Sequence, residues 1–220
     1  MNNHKILNLY NFLKIAYGHP KGQWSLWRKR PKTTREKEEI IIGAILTQQT
    51  NWNNVCVAIE NLKSAKILSL KAIYDKFLNS GDSSSFCCLP HEAFLQTLIR
   101  PAGFYKQKTG YILNITRFII EEYKTLRRME KIPLPELREN LLKIKGIGHE
   151  TADSILLYAL EKEIFVIDEY TRRFAKKHNL ANKFSYSHLQ NLFEQNLPKD
   201  YALYQDYHAL IVIDGQNASI

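Results

Sequence analysis

Cysteine is scarce in this 220-residue chain, which has three, at positions 56, 87 and 88. Adjacent Cys87 and Cys88 make poor disulfide partners, so a cystine scaffold is excluded and a reducing compartment is expected. Long apolar runs are missing too. No stretch is long or apolar enough to span a bilayer, and Met1-Asn-Asn-His-Lys5 lacks a secretory signal pattern. Apolar–polar alternation is weak, because Ile164-Phe-Val-Ile167 is too short to define a sheet. No cluster of His, Cys, Asp and Glu has metal-ligand spacing. Acidic residues are in deficit, 22 against 31 Lys plus Arg, giving a net charge of +9. That excess suits a nucleic acid or an anionic surface. Arg28-Lys29-Arg30, Arg127-Arg128 and Arg172-Arg173, with Lys106 and Lys108, are the groups expected to follow phosphates.

Hydrophobic residues make up 45% of the chain. Their spacing of three to four predicts helices near 5–16, 37–47, 52–63, 68–78, 91–99, 105–124, 136–144, 149–160, 168–178, 186–196 and 200–212. The fold class is therefore all-α, and the length suits one large or two small domains. The segment 79–85, rich in Ser with Gly and Asp, reads as a surface connector.

The most informative segment is Leu141-Leu-Lys-Ile-Lys-Gly-Ile-Gly-His-Glu-Thr-Ala152. It reads as a helix, a tight turn and a second helix, with Gly146 and Gly148 expected to permit positive φ around Ile147. The amides at such a turn, and at the helix start that follows, make an anion site that ignores base sequence. Lys143 and Lys145 add charge beside it. A plain αα-hairpin satisfies the same glycines. Downstream, Asp168 follows the short apolar run and opens Glu169-Tyr-Thr-Arg-Arg-Phe-Ala-Lys-Lys177, where it reads as an N-cap.

Three blocks in order, Gly43-Ala-Ile-Leu-Thr-Gln-Gln-Thr50, Arg100-Pro-Ala-Gly-Phe-Tyr-Lys-Gln-Lys108 and Lys145-Gly-Ile-Gly-His-Glu-Thr-Ala152 running on to Asp168, resemble the helix-hairpin-helix DNA glycosylases of the endonuclease III superfamily. The similarity spans roughly residues 40 to 215 and is strongest toward the branch that includes bacterial 3-methyladenine glycosylases. It implies a two-lobed helical fold with DNA between the lobes. Residues 38–161 would form the central barrel, and 1–37 with 162–220 the second lobe.

The resemblance also implies the site. Asp168 would be the catalytic carboxylate, supporting positive charge on the sugar and activating water. Lys145, Gly146, Ile147, Gly148, His149 and Thr151 would contact the DNA backbone. Gln48 and Gln49 would meet the duplex, with Gln49 filling the gap left by an extruded base. Trp24 and Trp52 would stack on that base, an electron-rich surface for a cationic alkylated purine. Glu150 would line the same pocket or stay on the surface. Members that also cut the backbone carry lysine where this chain has Glu150, so a monofunctional enzyme is expected. Relatives often pair two tryptophans with a following proline, whereas here Ser25 and Leu26 separate Trp24 from Trp27.

Many members bind an iron–sulfur cluster through four C-terminal cysteines. The matching stretch from Tyr207 has none, so either this branch dispenses with the cluster or its ligands lie beyond residue 220. His208 reads as a packed or capping residue. The expectation is a cofactor-free monomer acting on double-stranded DNA in the cytoplasm, on damaged and chiefly alkylated purines. A glycosylase or lyase for oxidised or mismatched bases and a non-catalytic DNA-binding module are the alternatives.

Overall fold

A computed structural model describes residues 3–79 and 91–217. The connector beyond Asn79, Cys87 and Cys88 lie outside the described residues. Among the described residues the regular elements are all helical, so the fold is all-α. The chain divides into two compact units, 32–152 and 1–31 with 153–220.

In the unit 32–152, α3 (Thr34–Leu46) is started by a capping box in which Thr33 and Glu36 exchange side-chain and backbone bonds. Its second half, Ile40 to Leu46, is buried on every side, which makes it the central helix of this unit. Against it pack α4 (Trp52–Ser64) and α7 (Tyr105–Phe118), and against α7 pack α5 (Leu70–Phe77) and α6 (His91–Ile99). Asn51 caps α4 and Ser69 caps α5 through their side-chain oxygens. The helix expected over 105–124 loosens into a π-helical turn at Ile119–Tyr123 and stops where Lys124 takes a φ of 64°. Two short helices follow, α8 (Leu126–Met129) and α9 (Leu134–Leu142). The hairpin then leads to α10 (His149–Ser154).

The unit 1–31 with 153–220 contains α1 (Asn3–Tyr17), α2 (Trp24–Trp27), a π-helical turn at Ile155–Ala159, α11 (Glu169–Lys177), α12 (Tyr186–Asn196) and α13 (Tyr201–Asn217). Residues 153–161 were expected in the other unit. They belong here because the π turn is buried and bound to α13: Gln205 Nε2 donates to Leu157 O at 2.8 Å, and the Tyr158 hydroxyl lies 3.3 Å from Gln205 O. Ile164–Ile167 is buried and belongs to neither helix nor strand. Side chains of α12 satisfy its backbone instead. Phe165 N donates to Glu194 Oε1 at 2.8 Å, and Gln190 Nε2 donates to Phe165 O at 2.7 Å. Phe165 also stacks on Phe193 with ring centres 4.4 Å apart. The run is thereby held rigid up to its last residue, and Asp168 comes next.

Candidate active site

Asp168 is the N-cap of α11, with φ −100° and ψ −173°. Its Oδ1 accepts from Thr171 N at 2.7 Å and from Thr171 Oγ1 at 2.8 Å. Its Oδ2 lies 3.4 Å from His208 Nε2, and 13% of the side chain is exposed. Burial pushes this carboxyl up; the charge of His208, with contacts from His208 and Thr171, pulls it down, and the pull prevails. The carboxylate is therefore ionised at neutral pH, with one oxygen fixed and the other available. Such a group stabilises positive charge that develops in front of it.

His208 was expected only to pack or cap. It comes from α13, forty residues after Asp168 in the chain, and no local pattern points to it. Its Nδ1 is 2.7 Å from the Tyr158 hydroxyl. Trp24 stands edge-on to the imidazole at 5.9 Å and lies 5.8 Å from the Tyr158 ring, tilted by 35°. Trp24 is only 7% exposed, so the stacking face expected of it is taken up by the protein's own aromatic cluster. Trp52, the other expected stacking residue, is half-buried at the start of α4 in the other unit.

The hairpin is built as two different glycines require. Gly146 has a φ of 96°, and the Tyr111 ring occupies the place where a Cβ would stand. Gly148 does not take positive φ, contrary to expectation, and its missing Cβ faces open space. Its smallness leaves the rim of the turn clear for a close backbone approach. Ile147 is buried and anchors the turn, while Lys145, His149 and Glu150 are exposed. Arg138 Nη2 lies 3.3 Å from His149 Nδ1, which places a guanidinium in the same region.

Two residues expected at the DNA turn inward. Gln48 Nε2 donates to Gly146 O and to Thr151 Oγ1, both at 3.0 Å, and Thr151 is buried. Gln48 and Thr151 are thus braces that tie the end of α3 to the hairpin, rather than outward contacts. Gln49 differs: it is exposed, with a φ of 50°. Phe104, which the sequence did not single out, is 57% exposed with a φ of 46°. Both residues line one cavity of about 90 Å³ with Gln48, Gln107, Lys108 and Tyr111.

Lys108 corrects another expectation. It is buried, and its amine donates to Leu46 O and Ala102 O, each at 2.8 Å, instead of following phosphates. Those carbonyls end α3 and the 3₁₀ turn Arg100–Ala102. One ammonium thus closes both bends that present Gln49 and Phe104, and burial lowers its pKa to about 8. Likewise Arg28 and Arg30 both bind Asp206 Oδ1, at 2.7 and 2.8 Å, so two of the cluster's three cations share one carboxylate inside their own unit.

The description "HhH-GPD superfamily base excision DNA repair protein" fits residues 42–199. The chain belongs to the HhH-GPD superfamily. Membership makes it a base excision repair enzyme of the DNA N-glycosylase class. It is 43% identical over 210 residues to a chain named as a DNA repair glycosylase in Methanocaldococcus jannaschii, covering 94% of this chain and 85% of that one. It is 26% identical over 175 residues to endonuclease III of Thermotoga maritima, covering 79% and 72%. Among solved structures it is similar to Helicobacter pylori 3-methyladenine DNA glycosylase MagIII bound to 1,N6-ethenoadenine. That match has a TM-score of 0.75 and 27% identity over 99% of both chains. An endonuclease III–DNA covalent intermediate matches in fold, with a TM-score of 0.72 at 16% identity over 99% of this chain and 87% of that one.

An iron–sulfur cluster of the kind found in some HhH-GPD proteins requires four thiolates, and these 220 residues supply three cysteines. Cys56 is exposed on α4, and no group of three or more His, Cys, Asp and Glu among the described residues could hold a metal. No helix of the described residues is long and apolar enough to cross a membrane.

Proposed function

We propose that this HhH-GPD enzyme is a monofunctional DNA glycosylase that hydrolyses the N-glycosidic bond of damaged purines, chiefly alkylated ones. The observation that carries the reading is Asp168: ionised, pinned through Oδ1, with Oδ2 unclaimed by any bond to Thr171. As the base departs with the bonding electron pair, C1′ gains positive charge that this carboxylate supports. Water then attacks C1′ and loses a proton to Oδ2, leaving an intact abasic sugar. An alkylated purine departs readily because it already bears positive charge, so no strong general acid is needed.

The amides around Gly148 and the charges of Lys145 and Arg138 serve as the phosphate grip. Gln49 enters the space vacated by the extruded base, with Phe104 as an apolar wedge on the same rim. Trp52 is the aromatic residue left to meet the base. Glu150 stands exposed where bifunctional members have lysine, so no Schiff base forms there. The enzyme works as a monomer on double-stranded DNA, without a resident cofactor, in the cytoplasm. The likeness to MagIII favours alkylated adenine, and the relatives named endonuclease III favour a second reading, oxidised bases.

The test is direct. Purified protein is incubated with dimethyl-sulfate-methylated duplex DNA, with a duplex carrying one oxidised pyrimidine, and with undamaged DNA. Released bases are identified by chromatography, and borohydride is added to a parallel reaction. The reading requires free 3-methyladenine and no trapped protein–DNA adduct. A trapped adduct, or release of the oxidised base alone, overturns it.

A further inference from the structure

We propose that His208 is a positioning residue for Asp168, held by the Tyr158 hydroxyl so that its Nε2–H is always directed at Oδ2. This deepens the glycosylase reading and rests on it for its catalytic consequence. The geometry carries the argument. His208 is 5% exposed, and its Nε2 stands 3.4 Å from Oδ2 with no hydrogen-bond partner of its own among the described residues. On the other side of the ring, Nδ1 meets the Tyr158 hydroxyl at 2.7 Å, and that hydroxyl also lies 3.3 Å from the backbone oxygen of Gln205.

The placement of hydrogens follows from these partners. Tyr158 has one proton and two neighbours that accept. When His208 is neutral, the Asp168 charge 3.4 Å from Nε2 favours the ring hydrogen there, and the hydroxyl then donates to Nδ1. When His208 is protonated, Nδ1–H donates to the Tyr158 oxygen, and the hydroxyl proton turns to Gln205 O. Nε2 carries a hydrogen toward Asp168 in both states. Tyr158 can play this part at any ordinary pH, because burial, and next the charge of Asp168, raise its pKa well above the usual tyrosine value.

The surroundings leave His208 little else to answer to. The rings of Trp24 from α2 and of Phe165 stand nearly perpendicular to the imidazole. The titratable and charged groups around it are Tyr158 on the π turn, Asp168 before α11, Asp206 on α13 itself, and Arg28 and Arg30, which are paired to Asp206. Among the described residues, Asp168 is thus the carboxylate that faces Nε2. A contact of 3.4 Å is loose for a hydrogen bond, and catalytic contacts of free enzymes commonly tighten once substrate is bound. Thr171 fixes one oxygen of Asp168 and His208 aims the other.

The closing experiment separates this pairing from the function that it serves. The imidazole nitrogens of the full-length protein are followed by 15N NMR, with H208Q identifying the His208 signals. The ring hydrogen of neutral His208 is expected on Nε2, and D168N, which removes the facing carboxylate, is expected to move the Nε2 shift. Y158F is expected to move the Nδ1 shift. A neutral His208 with its hydrogen on Nδ1, or an Nε2 shift unchanged in D168N, overturns the proposal whether or not any base is released. Single-turnover release from methylated duplex DNA gives the catalytic arm. H208L should lose about tenfold in rate with DNA affinity intact, and its acid limb should move to higher pH. The amide of H208Q should restore a large part of that rate. If H208Q and H208L lose rate equally, with unshifted pH profiles and lowered melting temperatures, His208 is packing alone and the proposal fails. A wild-type protein that shows the NMR coupling yet releases no base overturns the glycosylase reading and leaves the pairing standing.

Discussion

Alanine at Gly146 and alanine at Gly148 should have opposite consequences, although the two residues are two positions apart in one turn. At Gly146 an alanine would have to keep a φ of 96°, and its Cβ would collide with the Tyr111 ring. Left-handed backbone costs a non-glycine residue about 1–2 kcal/mol. Forcing a packed ring aside adds roughly 1–3 kcal/mol. A loss of about 2–5 kcal/mol corresponds to a melting temperature lower by about 4–20 °C for a chain of this size. At Gly148 the backbone is unstrained and nothing lies within 4 Å of the added methyl, so melting should hardly change. That methyl would instead stand on the exposed rim where a phosphate must approach. Losing one hydrogen bond to a charged group, about 1.5–3 kcal/mol, weakens DNA binding by roughly tenfold or more. Thermal melting by circular dichroism and fluorescence anisotropy with a labelled duplex read the two effects separately. Wild-type affinity in Gly148→Ala would refute the hairpin as the phosphate grip. Wild-type stability in Gly146→Ala would refute the close approach to Tyr111.

Three other outcomes are expected. Gln48→Ala leaves Gly146 O and Thr151 Oγ1 without their donor, and should destabilise the protein by about 1–3 kcal/mol in urea unfolding. Lys108 has its pKa lowered from 10.5 to about 8 by burial. The unfolded chain therefore binds more protons between those values, and stability should rise as pH climbs through this window. Lys108→Met should abolish the rise in urea titrations at about pH 7.5 and about pH 9.5. Asp168 is shifted the other way, so its contribution to stability is present above the unfolded carboxylate pKa and lost as pH falls through the folded value. Thr171→Val removes one of the two bonds to Oδ1, and should move the acid limb of base release to higher pH in single-turnover profiles.

Much of the helical framework was legible because apolar spacing is a local property. The run Ile40 to Leu46 declares a buried helix, and the glycines of the hairpin declare a turn. The N-cap at Asp168 follows from its place between an apolar run and a polar helix. What was not legible depends on residues meeting across the chain. Nothing near Lys108 reveals that two helix ends converge on its amine, so it read as a surface charge. Arg28 and Arg30 read as phosphate contacts because Asp206, which binds both, lies far along the sequence. Gln48 and Gln49 are neighbours with opposite fates, decided by the positive φ of Gln49 and by a hairpin almost a hundred residues away. Trp24 was assigned an open face that the aromatic cluster covers, and His208 gained its importance only through Tyr158 and Asp168.

The most direct measurement is single-turnover base release from methylated duplex DNA by Asp168→Asn beside the wild type. Asparagine preserves the shape of the side chain and an oxygen for Thr171, and removes the charge. The account predicts that the variant stays folded, at some cost in melting temperature, and keeps its DNA affinity while release falls by about a hundredfold or more, as expected when an electrostatic group aimed at the transition state is lost. Release at the wild-type rate by a folded, DNA-bound Asp168→Asn protein would contradict it.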